Sequence, residues 1–203
     1  MPTTPSLEYC SFRFLTQWQE DEEKLHHAMA GTPVPKDIRT ALSYFQVSRS
    51  FKDLEDPANL AFIAEALLRV RDQGSSSPSE KVNQLANDFR VHFDRFNLSA
   101  ASKLLWLTHR KPFVIYDSRA VEALASLSPR RFNYRDYKAY DEVWHEEYQK
   151  VEDAVRDAAI QLPKARPFMR SALHQSDQEL LRMTTEPWFM ERVFDIFLWE
   201  LGG

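Results

Sequence analysis

Glycine is scarce in this chain of 203 residues, with only four, at positions 31, 74, 202 and 203. Few places are therefore open to the left-handed backbone that tight turns favour, and strict apolar-polar alternation is nearly absent, so helices must dominate. Cysteine is scarcer still. Cys10 stands alone, which excludes an intrachain disulfide, a cysteine-rich zinc site and a four-cysteine iron–sulfur cluster. Apolar runs stop at four or five residues, far short of the roughly 18 that a membrane span requires. The stretch MPTTPSLEYC has no basic region followed by an apolar one, so no secretory signal is read there and a reducing cytoplasm is the expected setting. The six histidines (26, 27, 92, 109, 145, 174) lack zinc-ligand spacing, because His145-Glu146-Glu147 is followed by Gln149 where a second histidine would stand. Phosphate-binding glycine loops, dinucleotide fingerprints and serine-nucleophile elbows are missing, and neither a cofactor nor a metal is expected.

What is present is enough for one sizeable core or two small helical lobes: 43% of residues are hydrophobic and 13% aromatic. The net charge of -4 hides an asymmetry. Between Ser99 and Ala139, eight basic residues (Lys103, Arg110, Lys111, Arg119, Arg130, Arg131, Arg135, Lys138) face three acidic ones (Asp117, Glu122, Asp136), a local +5 against -9 elsewhere. A solvated basic face would read this way, and so would a surface that meets a polyanion on one side only.

Helix punctuation divides the chain. A first helix is expected from about Ser11 to Ala30, with an apolar stripe through Phe14, Trp18, Leu25 and Met29, stopped by Gly31 and the Pro33/Pro35 pair. A second is expected over Lys36 to Phe51. Asp56 before Pro57 reads as N-cap and first helical residue of a third, ending near Arg71. Ser77, Pro78 and Glu80 form a capping box opening a fourth helix with Val82, Leu85, Phe89 and Phe93 on its apolar face. Two short helices, Ala100 to His109 and Ser118 to Leu127, flank the apolar run Phe113 to Tyr116. A long charged helix over Asp136 to Gln161 is broken by Pro163 and Pro167, and helices over Ser176 to Arg182 and Pro187 to Leu201 complete the chain. The expected class is all-α, two interleaved helical lobes within a single domain spanning 1–203.

One constellation carries chemistry. Lys103 stands on one short helix and Asp117 at the mouth of the next, fourteen residues later, with PFVIY between them. Asp117 is placed as an N-cap whose carboxylate accepts first-turn amides, a role that structural aspartates fill as readily as catalytic ones.

SAASKLL, the linker, IYDSRAV and the following AL resemble the hairpin and catalytic helix of the helix-hairpin-helix DNA glycosylases, in particular their bacterial 8-oxoguanine-glycosylase-like branch. The likeness covers about 30 residues, within 97–127. It implies a helix-hairpin-helix glycosylase-like fold and a hydrolase that cleaves a base from deoxyribose. Asp117 matches the family's catalytic aspartate. Lys103 matches the lysine that, in members that also nick the strand, forms a Schiff base with the sugar. The family's hairpin has glycines before that lysine, where this chain has Ser99-Ala100-Ala101-Ser102. Ser99 and Ser102 in that turn, with Arg110, Lys111 and Arg119, are the DNA contacts the resemblance implies. Tyr44, Phe45, Tyr116, Trp188 and Phe189 are candidates for a pocket receiving an extruded base, or for core. The implied partner is double-stranded DNA with a modified or damaged base, bound by a monomer away from membranes. Small bacterial members of that branch include enzymes that act against phage DNA carrying bulky modified cytosines, so the resemblance makes glucosylated hydroxymethylcytosine the first expected substrate and oxidised guanine the second. A helical DNA- or partner-binding module without chemistry is the alternative.

Overall fold

A computed structural model of the chain describes residues 4–169 and 175–203; His174 lies outside them. Its α-helices are α1 (Leu7–Gln17), α2 (Glu23–Ala30), α3 (Pro35–Tyr44), α4 (Pro57–Arg71), α5 (Pro78–Phe93), α6 (Leu98–Thr108), α7 (Ser118–Leu127), α8 (Tyr137–Ile160), α9 (Leu162–Ala165), α10 (Asp177–Thr184) and α11 (Pro187–Leu201). There is no strand among the described residues, in keeping with the all-α class. None of these helices is long and apolar enough to cross a membrane. The chain forms two compact units, Glu22–Tyr116 and Met1–Asp21 with Asp117–Gly203.

In the first unit α6 is the central element, packed against α2, α3, α4 and α5. Every residue from Ala100 to Thr108 is buried. The small side chains of Ala100, Ala101 and Ser102 let neighbouring helices come close, and Leu104, Leu105, Trp106 and Leu107 fill the space beyond. The Asp56/Pro57 start of α4 and the Ser77/Glu80 capping box of α5 are formed as the sequence predicts. Phe51 meets Phe89 and Phe93 edge to face, each at 5.1 Å between centroids, a geometry that aromatic pairs favour.

In the second unit α11 packs on α1, α7 and α8. Trp188 and Phe189 are core residues against Phe14, with Phe189 only 4.6 Å from it by centroid. The buried Asp195 accepts the indole N–H of Trp144 at 2.9 Å, which satisfies both polar groups.

Two expected helices are reshaped. The first begins earlier, at Leu7 behind the Ser6 N-cap, and a π-helical turn over Trp18–Glu22 separates α1 from α2. Such a wide turn shifts the phase of the apolar stripe by part of a residue. The second helix ends at Tyr44 rather than Phe51. Gln46 adopts a left-handed backbone (φ 55°), and the Val47 amide reaches back to the Leu42 carbonyl at 2.9 Å. This closure usually uses glycine. Val47 and Phe51 are buried, but they reach the core from the connection that follows the helix.

No described glycine has positive φ; Gln46, Asp53 and Asp94 take the left-handed positions instead. Side chains close further helix ends. Arg71 donates to the carbonyls of Ala30 and Gly31 at the end of α2, Lys81 to that of Arg71 at the end of α4, and His26 lies 2.7 Å from the Leu107 carbonyl at the end of α6. Basic groups at carbonyl ends also complement the helix dipoles. Because Gln46 is exposed and its conformation suits glycine, Gln46→Gly should stabilise the fold by about 0.5–1 kcal/mol and raise the thermal midpoint by roughly 1–4 °C. A lowered midpoint by calorimetry would mean that the side chain itself holds the turn.

Candidate functional site

The residues singled out in the sequence fall on both units, and each group is described within its own. In the first unit, Asp94–Asn97 joins α5 to α6. Asn97 is the N-cap of α6, its Oδ1 accepting the Ala100 amide at 3.0 Å. Ser99-Ala100-Ala101-Ser102 is therefore not the turn, as expected, but the opening of the helix. The reason is local: asparagine caps well, whereas the two alanines are strong helix formers.

In that placement both serines make hydrogen bonds within the chain. Ser102 is fully buried. Its hydroxyl donates to the Ser99 carbonyl at 3.3 Å and accepts the Tyr116 amide at 2.9 Å. Ser102, expected as a DNA contact, has its hydroxyl engaged within the protein, where it holds the residue before Asp117. Ser99, half-buried, accepts a hydrogen bond at 2.9 Å from the Lys103 ammonium.

Lys103 is not the surface residue that its charge would suggest, for it is only 6% exposed. Its Nζ lies 5.9 Å from the Phe45 ring centroid. Tyr44 and Phe45 are half-exposed at the end of α3, their rings 5.0 Å apart edge to face. The Tyr44 hydroxyl donates at 3.0 Å to Glu22, a carboxylate with no solvent exposure. Of the five aromatic candidates, Trp188 and Phe189 are core, while Tyr44, Phe45 and Tyr116 keep partial exposure. Arg110 is half-buried and Lys111, before a cis proline, is exposed.

In the second unit Asp117 is the N-cap of α7, half-exposed, with its Oδ1 accepting the Arg119 amide at 3.1 Å. Its neighbours on α7 are held from α11. The Arg119 guanidinium lies 4.2 Å from the Trp199 ring centroid, and Arg13 stacks on the same ring at 4.9 Å. Arg13 also pairs with Glu200. A Cβ at Gly202 would collide with the Arg119 carbonyl, so this approach requires glycine. Arg119 is exposed, but its side chain is placed by stacking, which the sequence pattern did not reveal.

No family model, curated protein or solved structure matches this chain.

Along the chain, the basic excess overstates the charge on offer. Arg130 binds Glu142 at 2.7 Å and pairs also with Glu146 on α8, and Lys103 is inside. Reasoning from sequence missed Glu22, Asn97 and Trp199. The N-cap preference of asparagine was the signal for Asn97; the other two meet their partners through tertiary packing alone.

Removing the Ser102 hydroxyl takes from the Tyr116 amide a buried acceptor. Ser102→Ala should therefore destabilise by about 1–3 kcal/mol in denaturant titration; no change would mean that the bond does not hold this segment. A second expectation concerns pH. Burial lowers the pKa of His26 below its ordinary 6.5, opposed by the Leu107 carbonyl and aided by Arg110, His27 and His109. Burial, then Arg71 and Lys81, lower His109 as well. The unfolded chain then binds more protons just below pH 6.5, so stability is full above that value and falls as the medium is acidified through it. His26→Asn keeps a donor for Leu107 and should flatten the thermal midpoint's dependence on pH below 6.5; an unaltered slope would assign the effect elsewhere.

Proposed function

We propose that this protein is a DNA glycosylase of the helix-hairpin-helix type, which hydrolyses the bond between deoxyribose and a base extruded from the duplex. The resemblance of 97–127 supports the family, and one observation carries the chemistry. Asp117 is a half-exposed carboxylate fixed at the N-terminus of α7, directly after a segment that Ser102 pins.

As the glycosidic bond breaks, its electron pair leaves with the base and positive charge grows on the sugar. A preorganised carboxylate stabilises that charge. Water then adds to C1′, giving up a proton, while the departing base takes one up. Asp117 supplies the carboxylate. Lys103 is the second functional group, because an amine retained inside an apolar helix is costly to bury and such groups gather at functional sites. Tyr44 and Phe45, half-exposed beside it, offer aromatic surface for an unstacked base. The substrate we assign is a bulky modified cytosine, glucosylated hydroxymethylcytosine, in phage DNA, which makes the enzyme an antiviral one. This assignment rests on the resemblance.

Asp117→Asn keeps the size of the side chain and an acceptor for the cap, but removes its charge. Base release from modified DNA should fall by at least about a hundredfold, the scale of losing one electrostatic stabiliser of a transition state. Release at the wild-type rate in this variant would refute the role of Asp117. Lys103→Ala addresses strand nicking. If the amine attacks C1′, borohydride traps a covalent adduct with DNA in the wild type and none in the variant; equal base release with no adduct in either assigns Lys103 to binding.

A further inference from the structure

The connection between α7 and α8, residues 128–136, carries the sequence SPRRFNYRD and belongs wholly to the second unit. It is ordered by its own short polar bonds rather than by glycine. The Arg130 amide donates to Ser128 Oγ at 3.2 Å, the Arg135 amide to Asn133 Oδ1 at 3.1 Å, and the Asp136 amide to the Asn133 carbonyl at 3.0 Å. Asp136 then caps α8 through the Lys138 amide.

Its four nearby cations divide into two kinds. Arg130 is engaged on the surface by its own chain: its guanidinium forks onto Glu142 and Glu146 of α8. This also offsets two carboxylates of α8, which leaves Asp136, whose carboxylate accepts the Lys138 amide, as the acidic group of the loop itself. Arg131, Arg135 and Lys138 are exposed and form no ion pair with a described residue. Between the two arginines Tyr134 is 51% exposed, with the Arg135 guanidinium 5.8 Å from its ring centroid. Exposed guanidinium groups interleaved with an exposed aromatic suit a nucleic-acid strand, whose phosphates take the charge and whose bases or sugars take the ring. An acidic peptide would use the charges and leave the ring idle.

We propose that this loop is a second DNA contact, in which Arg131 and Arg135 meet backbone phosphates and Tyr134 packs against the strand. The inference rests on the glycosylase reading but engages none of its catalytic residues. It makes binding, but not bond cleavage, depend on the loop.

The test measures affinity of the full chain for an unmodified duplex of about 20 base pairs by fluorescence anisotropy, between about 0.05 and 0.2 M salt, in wild type and in an Arg131→Ala/Arg135→Ala variant. Each lost phosphate contact removes about 0.9 from the slope of log affinity on log salt. The double variant should therefore lose roughly 2 from the slope and bind about tenfold or more weakly at 0.1 M salt. Tyr134→Ala should weaken binding with the slope kept, since it removes no charge. Wild-type binding with the slope and affinity unchanged in the double variant overturns the loop contact and leaves the glycosylase reading standing. No wild-type binding at any salt overturns both. A polyglutamate peptide that binds as tightly as DNA, with the same dependence on both arginines and on Tyr134, overturns DNA as the partner. Equal folding of all variants by circular dichroism is expected, since the three side chains are exposed.

Discussion

One buried hydroxyl sets the geometry on which the candidate chemistry depends. Ser102 Oγ accepts the amide of Tyr116 across fourteen positions of chain, so the apolar run that leads to Asp117 is fixed to the most buried helix of its unit. The bond satisfies a polar group that burial would otherwise leave costly, and it ties the segment ending at Tyr116 to the helix that carries Lys103. Serine fits because it is small enough for close helix packing at α6 and still supplies an acceptor. Lys103 follows on the same helix, with Ser99 one turn back to receive its ammonium.

The shortage of glycine shapes the rest. Helix ends that would commonly close on a left-handed glycine close here on Gln46 and Asp94, or on basic side chains reaching from another element, as Arg71, Lys81 and His26 do. These closures join helices as well as finish them, so one substitution serves local and tertiary order together. The glycine at 202 is kept where backbone approaches backbone, against Arg119 at the first turn of α7.

Much of this architecture was legible in the sequence wherever a local signal existed. Asp56/Pro57, Ser77/Glu80, Ser118 to Leu127 and Pro187 to Leu201 mark elements that the structure places within a residue or so of their expected bounds. The π-helical turn at Trp18–Glu22 and the closure at Gln46 carried no comparable signal, because apolar periodicity continues through both. The candidate site was legible in part. The N-cap role of Asp117 followed from its neighbours, whereas the burial of Lys103 and Ser102 depends on how α6 is surrounded, which residue type does not encode. Linear charge counting likewise cannot separate Arg130, held by two glutamates, from Arg131 beside it.

Asp117 is a carboxylate held at a helix N-terminus, within the stretch of about 30 residues that resembles the glycosylases. Cleavage of a base from DNA by this chain is read by detecting the free base itself. Wild-type protein is incubated with phage DNA containing glucosylated hydroxymethylcytosine, with oxidised DNA and with unmodified host DNA, and free bases are identified by mass spectrometry. A glycosylase for this substrate releases the glucosylated base from the phage DNA and none from unmodified DNA. Binding without release of any base from any of the three would contradict this activity and identify the chain as a binding module.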